Sequence, residues 1–151
     1  MFYILGIIIL VIDQITKLLV ANNFQLGESR AIINNIFHLT FVKNRGAAFG
    51  ILAGQQTLFL ALTVLIIIAL IIFRYYSNKS IYLDTGITLI IAGGIGNLID
   101  RIRLGYVIDF LDFRIWPVFN LADSAVVIGM VFLIYFILKD EFYKQAVDSS
   151  D

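Results

Sequence analysis

Residues 57–73 read TLFLALTVLIIIALIIF, a run without a single charge. A bilayer core of ~30 Å needs about 20 apolar residues wound as a helix to cross it, and only a helix or a closed barrel satisfies its own backbone polar groups in lipid. The run is therefore a membrane span, and its neighbours must be read against lipid as well as water. Working outward, three more stretches approach the same length: residues 2–20, interrupted by Asp13 and Lys17; residues 81–99, apolar after Asp84; and residues 118–138, with Asp123 near the start. Four spans put both termini on one side of the membrane. The connections at 21–56 and 100–117 then lie together on the other side.

Composition agrees with an all-α membrane protein of one domain, residues 1–151. The chain is 60% hydrophobic with mean hydropathy +0.93 and zero formal charge. That balance leaves no nucleic-acid partner to expect. Without cysteine there is no disulfide, thiol nucleophile or thiolate metal site, and a single histidine rules out a His-rich one. Chemistry has to come from carboxylates, amides, hydroxyls and basic groups. Residues 2–20 lack the basic flank of a secretory signal peptide and carry Asp13 inside the apolar run, so they are expected to stay as a helix. The polar residues beyond Lys139 are expected to fray.

Within this frame the polar residues stand out. Asp13 and Lys17 are four apart on one helix face, acid before base, and are expected to pair between helices; the sharper reading is that Lys17 helps orient loop residues over a site. Residues 35–44, NIFHLTFVKN, alternate apolar and polar side chains with a period of two, which predicts a strand. Its partner is expected nearby, in the small-residue stretch 44–50. His38 is expected to be a solvated or core histidine. Asp84-Thr85-Gly86 spells the motif of soluble aspartic proteases, but it opens an apolar helix, so Asp84 reads as an N-cap. Gly93, Gly94 and Gly96 lack the strand and lysine of a phosphate loop and predict close helix packing.

Residues 93–124, GGIGNLIDRIRLGYVIDFLDFRIWPVFNLADS, concentrate the charge of the chain. Ionisable groups at bilayer depth are costly and mark functional sites. Asn97, Asp100 and Arg101 fall at i, i+3 and i+4 at the end of the third span. Asn120 and Asp123 are three apart at the start of the fourth, where Asn120 can cap and Asp123 occupies the N3 position. The alternating segment between them carries Asp109 and can fold back toward Asp123. Two carboxylates brought together cannot both ionise cheaply, so the pair keeps a proton. One acid can then take a proton from water while the other donates to a carbonyl, as peptide hydrolysis requires. The plainer reading is that these acids neutralise Arg101, Arg103 and Arg114.

GNLIDR (96–101), VIDF (107–110) and FNLADS (119–124) together resemble the signature of bacterial lipoprotein signal peptidase, signal peptidase II. The resemblance extends to IDQITK (12–17) and VKNRGAAFG (42–50), in the same order, and covers essentially the whole chain. It implies a four-helix membrane aspartyl endopeptidase with a small extracytoplasmic β-sheet cradle. Such an enzyme cleaves prolipoproteins just before the diacylglyceryl-modified cysteine. The resemblance puts the catalytic pair on Asp109 and Asp123, with Asp100 competing for the first role but able to pair with a neighbouring arginine. Asn97, Arg101 and Asn120 match polar residues lining the family's site, Asn44 and Gly46 match its loop motif, and Asp13 and Lys17 match its first-helix acid and base. It implies no metal or organic cofactor. The expected partners are a lipid-modified precursor and membrane phospholipid, and the chain is expected to act as a monomer in the bacterial cell membrane.

Charge alone points the other way on orientation. Arg30, Lys43, Arg45, Arg101, Arg103 and Arg114 lie on the site side against Arg74, Lys79, Lys139 and Lys144 opposite, so the positive-inside rule would make the site cytoplasmic. Contacts with substrate and lipid headgroups account for several of the former, so the site is expected outside and both termini in the cytoplasm. The alternatives are a small proton-coupled transporter relaying protons through Asp13, Asp100 and Asp123, and a scaffold in which every acid only pairs. A serine peptidase using Ser124 and Lys17 would need to bring together two different helices.

Overall fold

The structure, a computed structural model, describes residues 2–46 and 54–148, with side chains as far as residue 141. The described chain runs α1 (Phe2–Asn23), β1 (Ser29–Ile33), β2 (Phe37–Asn44), α2 (Gln56–Tyr76), α3 (Ile81–Leu104), β3 (Val107–Asp112) and α4 (Leu121–Asp148). All four helices are long and apolar enough to cross a membrane. Their outer faces are covered with side chains such as Ile7, Leu65, Ile71 and Val131, each more than half exposed. In water such a surface would aggregate; in lipid it is the favoured one.

α3 is the centre of the bundle, packing on α1, α2 and α4. Its contact with α4 is close because glycines remove the side chains in between. A Cβ on Gly93 would sit 2.3 Å from Ala122 O, and one on Gly86 would sit 2.8 Å from Gly129 O. A Cβ on Gly96 would strike the Asp13 carboxylate at 2.7 Å, so that glycine lets α1 approach. These glycines pack helices, as the sequence indicates, and α3 ends at Gly105, whose positive φ of 77° closes the last turn on Arg101 O.

The strands form one antiparallel sheet in the order β1-β2-β3. They connect α1 to α2 and α3 to α4, so the sheet sits at one end of the bundle. Strand β2 lies where its alternation predicts, and among the described residues its partners are β1 and β3. Asn44 is the last residue of β2, and 47–50 lie outside the described residues. Phe41, Ile108 and Phe110 pack under the sheet on Val20 of α1, which seats it on the helices.

Several boundaries move. Helix α3 starts at Ile81 with Ser80 at its N-cap, so Asp84 is inside the first turn, where it pairs with Arg74 of α2 instead of capping. Helix α4 begins at Leu121 because Phe119 exchanges backbone hydrogen bonds with Leu111 of β3. Its backbone stays helical to Asp148, so the tail beyond Lys139 does not fray up to that residue; EFYKQAV is rich in good helix formers. His38 is half-buried in β2, with Nδ1 3.1 Å from Ser29 Oγ.

Candidate active site

Three elements bring the polar residues of the sequence together. Strand β3 supplies Asp109, the end of α3 supplies Asn97, Asp100 and Arg101, and the start of α4 supplies Asn120 and Asp123. Asn120 and Asp123 form the expected reciprocal cap: the Asp123 amide donates to Asn120 Oδ1 at 2.8 Å, and the Asn120 amide donates to Asp123 Oδ2 at 3.3 Å. This local box sets the direction of the Asp123 carboxyl.

Asp109 is 1% exposed, and both of its oxygens accept an amide hydrogen. Asn44 Nδ2 donates to Oδ2 at 2.9 Å and Asn120 Nδ2 to Oδ1 at 2.7 Å. Asn44 is itself oriented by the Gly46 amide, which donates to Asn44 Oδ1 at 2.9 Å. Burial, and after it the negative charge of Asp123, push the Asp109 carboxyl up to about 7, although the two amides and Lys17 pull the other way. On the far side Asn97 Nδ2 donates to Asp123 Oδ1 at 2.7 Å, and Asn120 Nδ2 lies 3.2 Å from Asn97 Oδ1. The two acids are thus the ends of one chain of contacts, Asp109 to Asn120 to Asn97 to Asp123.

The same strand carries an acid with the opposite character. Asp112 accepts from Thr40 Oγ1 at 2.7 Å and pairs with Arg114 at 3.0 Å. Its burial raises the carboxyl pKa, but these partners outweigh it and hold the group below its ordinary range. The plain reading of the acids as partners for arginine therefore describes Asp112. It does not describe Asp109, whose polar contacts are amides, or Asp100, which the sequence suggested could pair with a neighbouring arginine. Asp100 pairs with Lys17 of α1 at 3.0 Å, across the bundle.

Asp13 and Lys17 pair as expected, at 2.9 Å, and both are 1% exposed. Sequence reasoning passed over Gln14, whose Nε2 donates to Gly96 O and Asp100 Oδ1, tying α1 to α3. The signal was there in a polar residue beside Asp13 within an apolar run. Ser124 Oγ is bonded to Asn120 O, and Lys17 is engaged with Asp13, Asp100 and Asn97, so no serine-lysine pair forms.

Asn97, Arg101 and Asp123 face a cavity of about 300 Å³ between α2, α3 and α4, walled by Ile66, Ile67, Val126 and Val127. The Arg101 guanidinium lies over the Phe59 ring of α2 at 5.1 Å. An apolar wall with amide, guanidinium and carboxyl groups at one end suits an apolar chain whose polar backbone reaches the acids. Among the described residues no group of three or more His, Asp or Glu is placed to hold a metal ion.

Residues 5–139 match a family model described as Signal peptidase (SPase) II. The chain is 54% identical to a lipoprotein signal peptidase of Halothermothrix orenii, over 93% of this chain and 97% of that protein. It is 50% identical to one of Clostridioides difficile, over 91% and 95%. Among solved structures it is similar to a bacterial membrane enzyme determined by the in meso method at 2.3 Å resolution. That match has a TM-score of 0.87 and 37% identity, covering 92% of this chain and 88% of that one.

Proposed function

The chain belongs to the signal peptidase II family and is a membrane protease that removes signal peptides from prolipoproteins; we propose that Asp109 and Asp123 are its catalytic pair. The observation that carries this is the amide-linked chain from a buried acid of β3 to an acid at the start of α4, beside an apolar cleft. With its pKa near 7, Asp109 holds a proton near neutral pH and donates it to the scissile carbonyl oxygen. Asp123 takes a proton from the attacking water. The new C–O bond makes a tetrahedral centre, and its collapse breaks the C–N bond as the amine leaves with a proton from the pair. The amides of Asn44, Asn97 and Asn120 hold the acids in register.

The signal peptide lies in the apolar cleft between α2 and α4, and cleavage falls just before the lipid-modified cysteine. The half-apolar sheet lies at the lipid boundary, where the acyl chains and neighbouring phospholipid meet it. One chain contains the whole arrangement, which supports an enzyme that works as a monomer. The sheet end is extracytoplasmic and both termini are cytoplasmic in the bacterial cell membrane; a reporter fused beyond residue 148 that reads as external would reverse this orientation. No observation favours the proton-coupled carrier.

The decisive experiment is cleavage of a lipidated precursor by the purified protein in lipid, with the unlipidated precursor as control. Asp109→Asn and Asp123→Asn should each lower turnover by roughly 10³-fold or more while the protein still inserts and folds. Cleavage retained in either variant would overturn the assignment.

A further inference from the structure

Lys17 is a lysine 1% exposed in the middle of a membrane helix, where an ammonium survives only with partners. An ammonium has three hydrogens, and Lys17 has three acceptors: Asp13 Oδ2 at 2.9 Å, Asp100 Oδ2 at 3.0 Å and Asn97 Oδ1 at 2.9 Å. Each acceptor leads on to the proposed pair. Asp13 Oδ1 accepts the backbone amide of Ala122, the residue before Asp123, at 2.9 Å. Asp100 Oδ2 accepts the backbone amide of Ile108, the residue before Asp109, at 3.1 Å. Asn97, its oxygen held by the ammonium, turns its Nδ2 to Asp123 Oδ1 at 2.7 Å.

We propose that Lys17 is a positioning residue for the reaction: one buried ammonium that sets the separation of Asp109 and Asp123 through Asp13 and Asp100, and aims the Asn97 amide through its oxygen. The inference rests on the assignment of Asp109 and Asp123 as the catalytic pair. It explains why an expensive charge sits in α1, a helix that contributes no reacting group. An ion pair needed only to hold α1 on α3 would require one acid; here there are two, and each grips the backbone beside a different member of the pair. With the Asn97 oxygen engaged by a group that can only donate, the amide cannot flip without losing a bond. Asp123 therefore always meets a hydrogen and never the carbonyl oxygen.

The test measures kcat and KM on the lipidated precursor, with the thermal midpoint of each variant in lipid. Lys17→Met should lower kcat about 100-fold, the scale of a displacement of about 1 Å in a catalytic group, and leave KM within about threefold, because Lys17 touches no substrate. Lys17→Met strands two buried carboxylates, so the triple variant Asp13→Asn, Lys17→Met, Asp100→Asn provides a form with no charge to strand; it should fold and still lose kcat. Asp100 separates positioning from charge. Asp100→Leu removes the acceptor of the Ile108 amide and should lose about 100-fold in kcat at unchanged KM, whereas Asp100→Asn keeps an oxygen for that amide and should lose about tenfold less. The proposal is overturned if a folded variant lacking the ammonium keeps kcat within about threefold, if the loss appears in KM, or if Asp100→Asn and Asp100→Leu behave alike. These failures differ from failure of the catalytic assignment, in which Asp109→Asn would still cleave.

Discussion

Helices α2 and α3 cross the same membrane side by side and are built on opposite rules. α2 is the most apolar of the four spans, and not one of its residues is buried. α3 is the least apolar and the most buried, with Asn97 and Asp100 among its interior positions. In a soluble protein the apolar helix would be the core. In a bilayer lipid is as apolar as leucine, so hydropathy reports which face meets lipid, while small and polar residues mark where helices meet each other. α2 packs on α3 and leaves a cleft toward α4, where a substrate chain can lie. α3 carries the polar network on its other faces.

Two adjacent glycines put this contrast to the test. Gly93 faces α4, where an added Cβ would lie 2.3 Å from a backbone oxygen; Gly94 faces α2, where it would lie 3.4 Å from a Thr63 methyl group. Gly93→Ala should be the more damaging change, costing about 2–3 kcal/mol in an unfolding titration in lipid or detergent and lowering activity with it, because only backbone movement relieves the clash. The contrast also has a pH signature, because the polar side holds the titrating acid. Asp109 has an ordinary value of 3.8 and is raised to about 7 in the folded protein. As pH rises from about 4 to 7 the unfolded chain loses this proton first, so the group withdraws stability over that window, and the whole deficit is present above about 7. If Asp109 supplies the proton, kcat/KM falls about tenfold per unit above pH 7, and a profile flat to pH 9 would reassign the acid. Gly94→Ala should have the smallest effect: no loss, or a gain of up to about 1 kcal/mol from removing a helical glycine. Equal losses at Gly93 and Gly94 would mean that α2 is held as tightly as α4, and the difference between the two helices would disappear.

What could be read from residues was local. The reciprocal cap of Asn120 on Asp123 and the Asp13–Lys17 pair each join residues three or four apart on one helix, a spacing that helical geometry itself brings together. The strand at Phe37–Asn44 showed in its alternation, whereas its partner did not. Pairing with β3 joins residues far apart in the chain, and no window around the strand contains that partner. For the same reason Asp100, flanked by Arg101 and Arg103, finds its cation in Lys17 of α1.

The sequence by itself determined four spans, the polar end of the bundle and the residue types from which an aspartic site can be made, because length, periodicity and charge at bilayer depth are properties of short windows. Only the tertiary structure decided that Asp109 faces two asparagine amides rather than an arginine, and that one lysine holds the backbone beside both acids. Those contacts depend on how α1, β3 and α4 close around α3, and no short window contains that geometry.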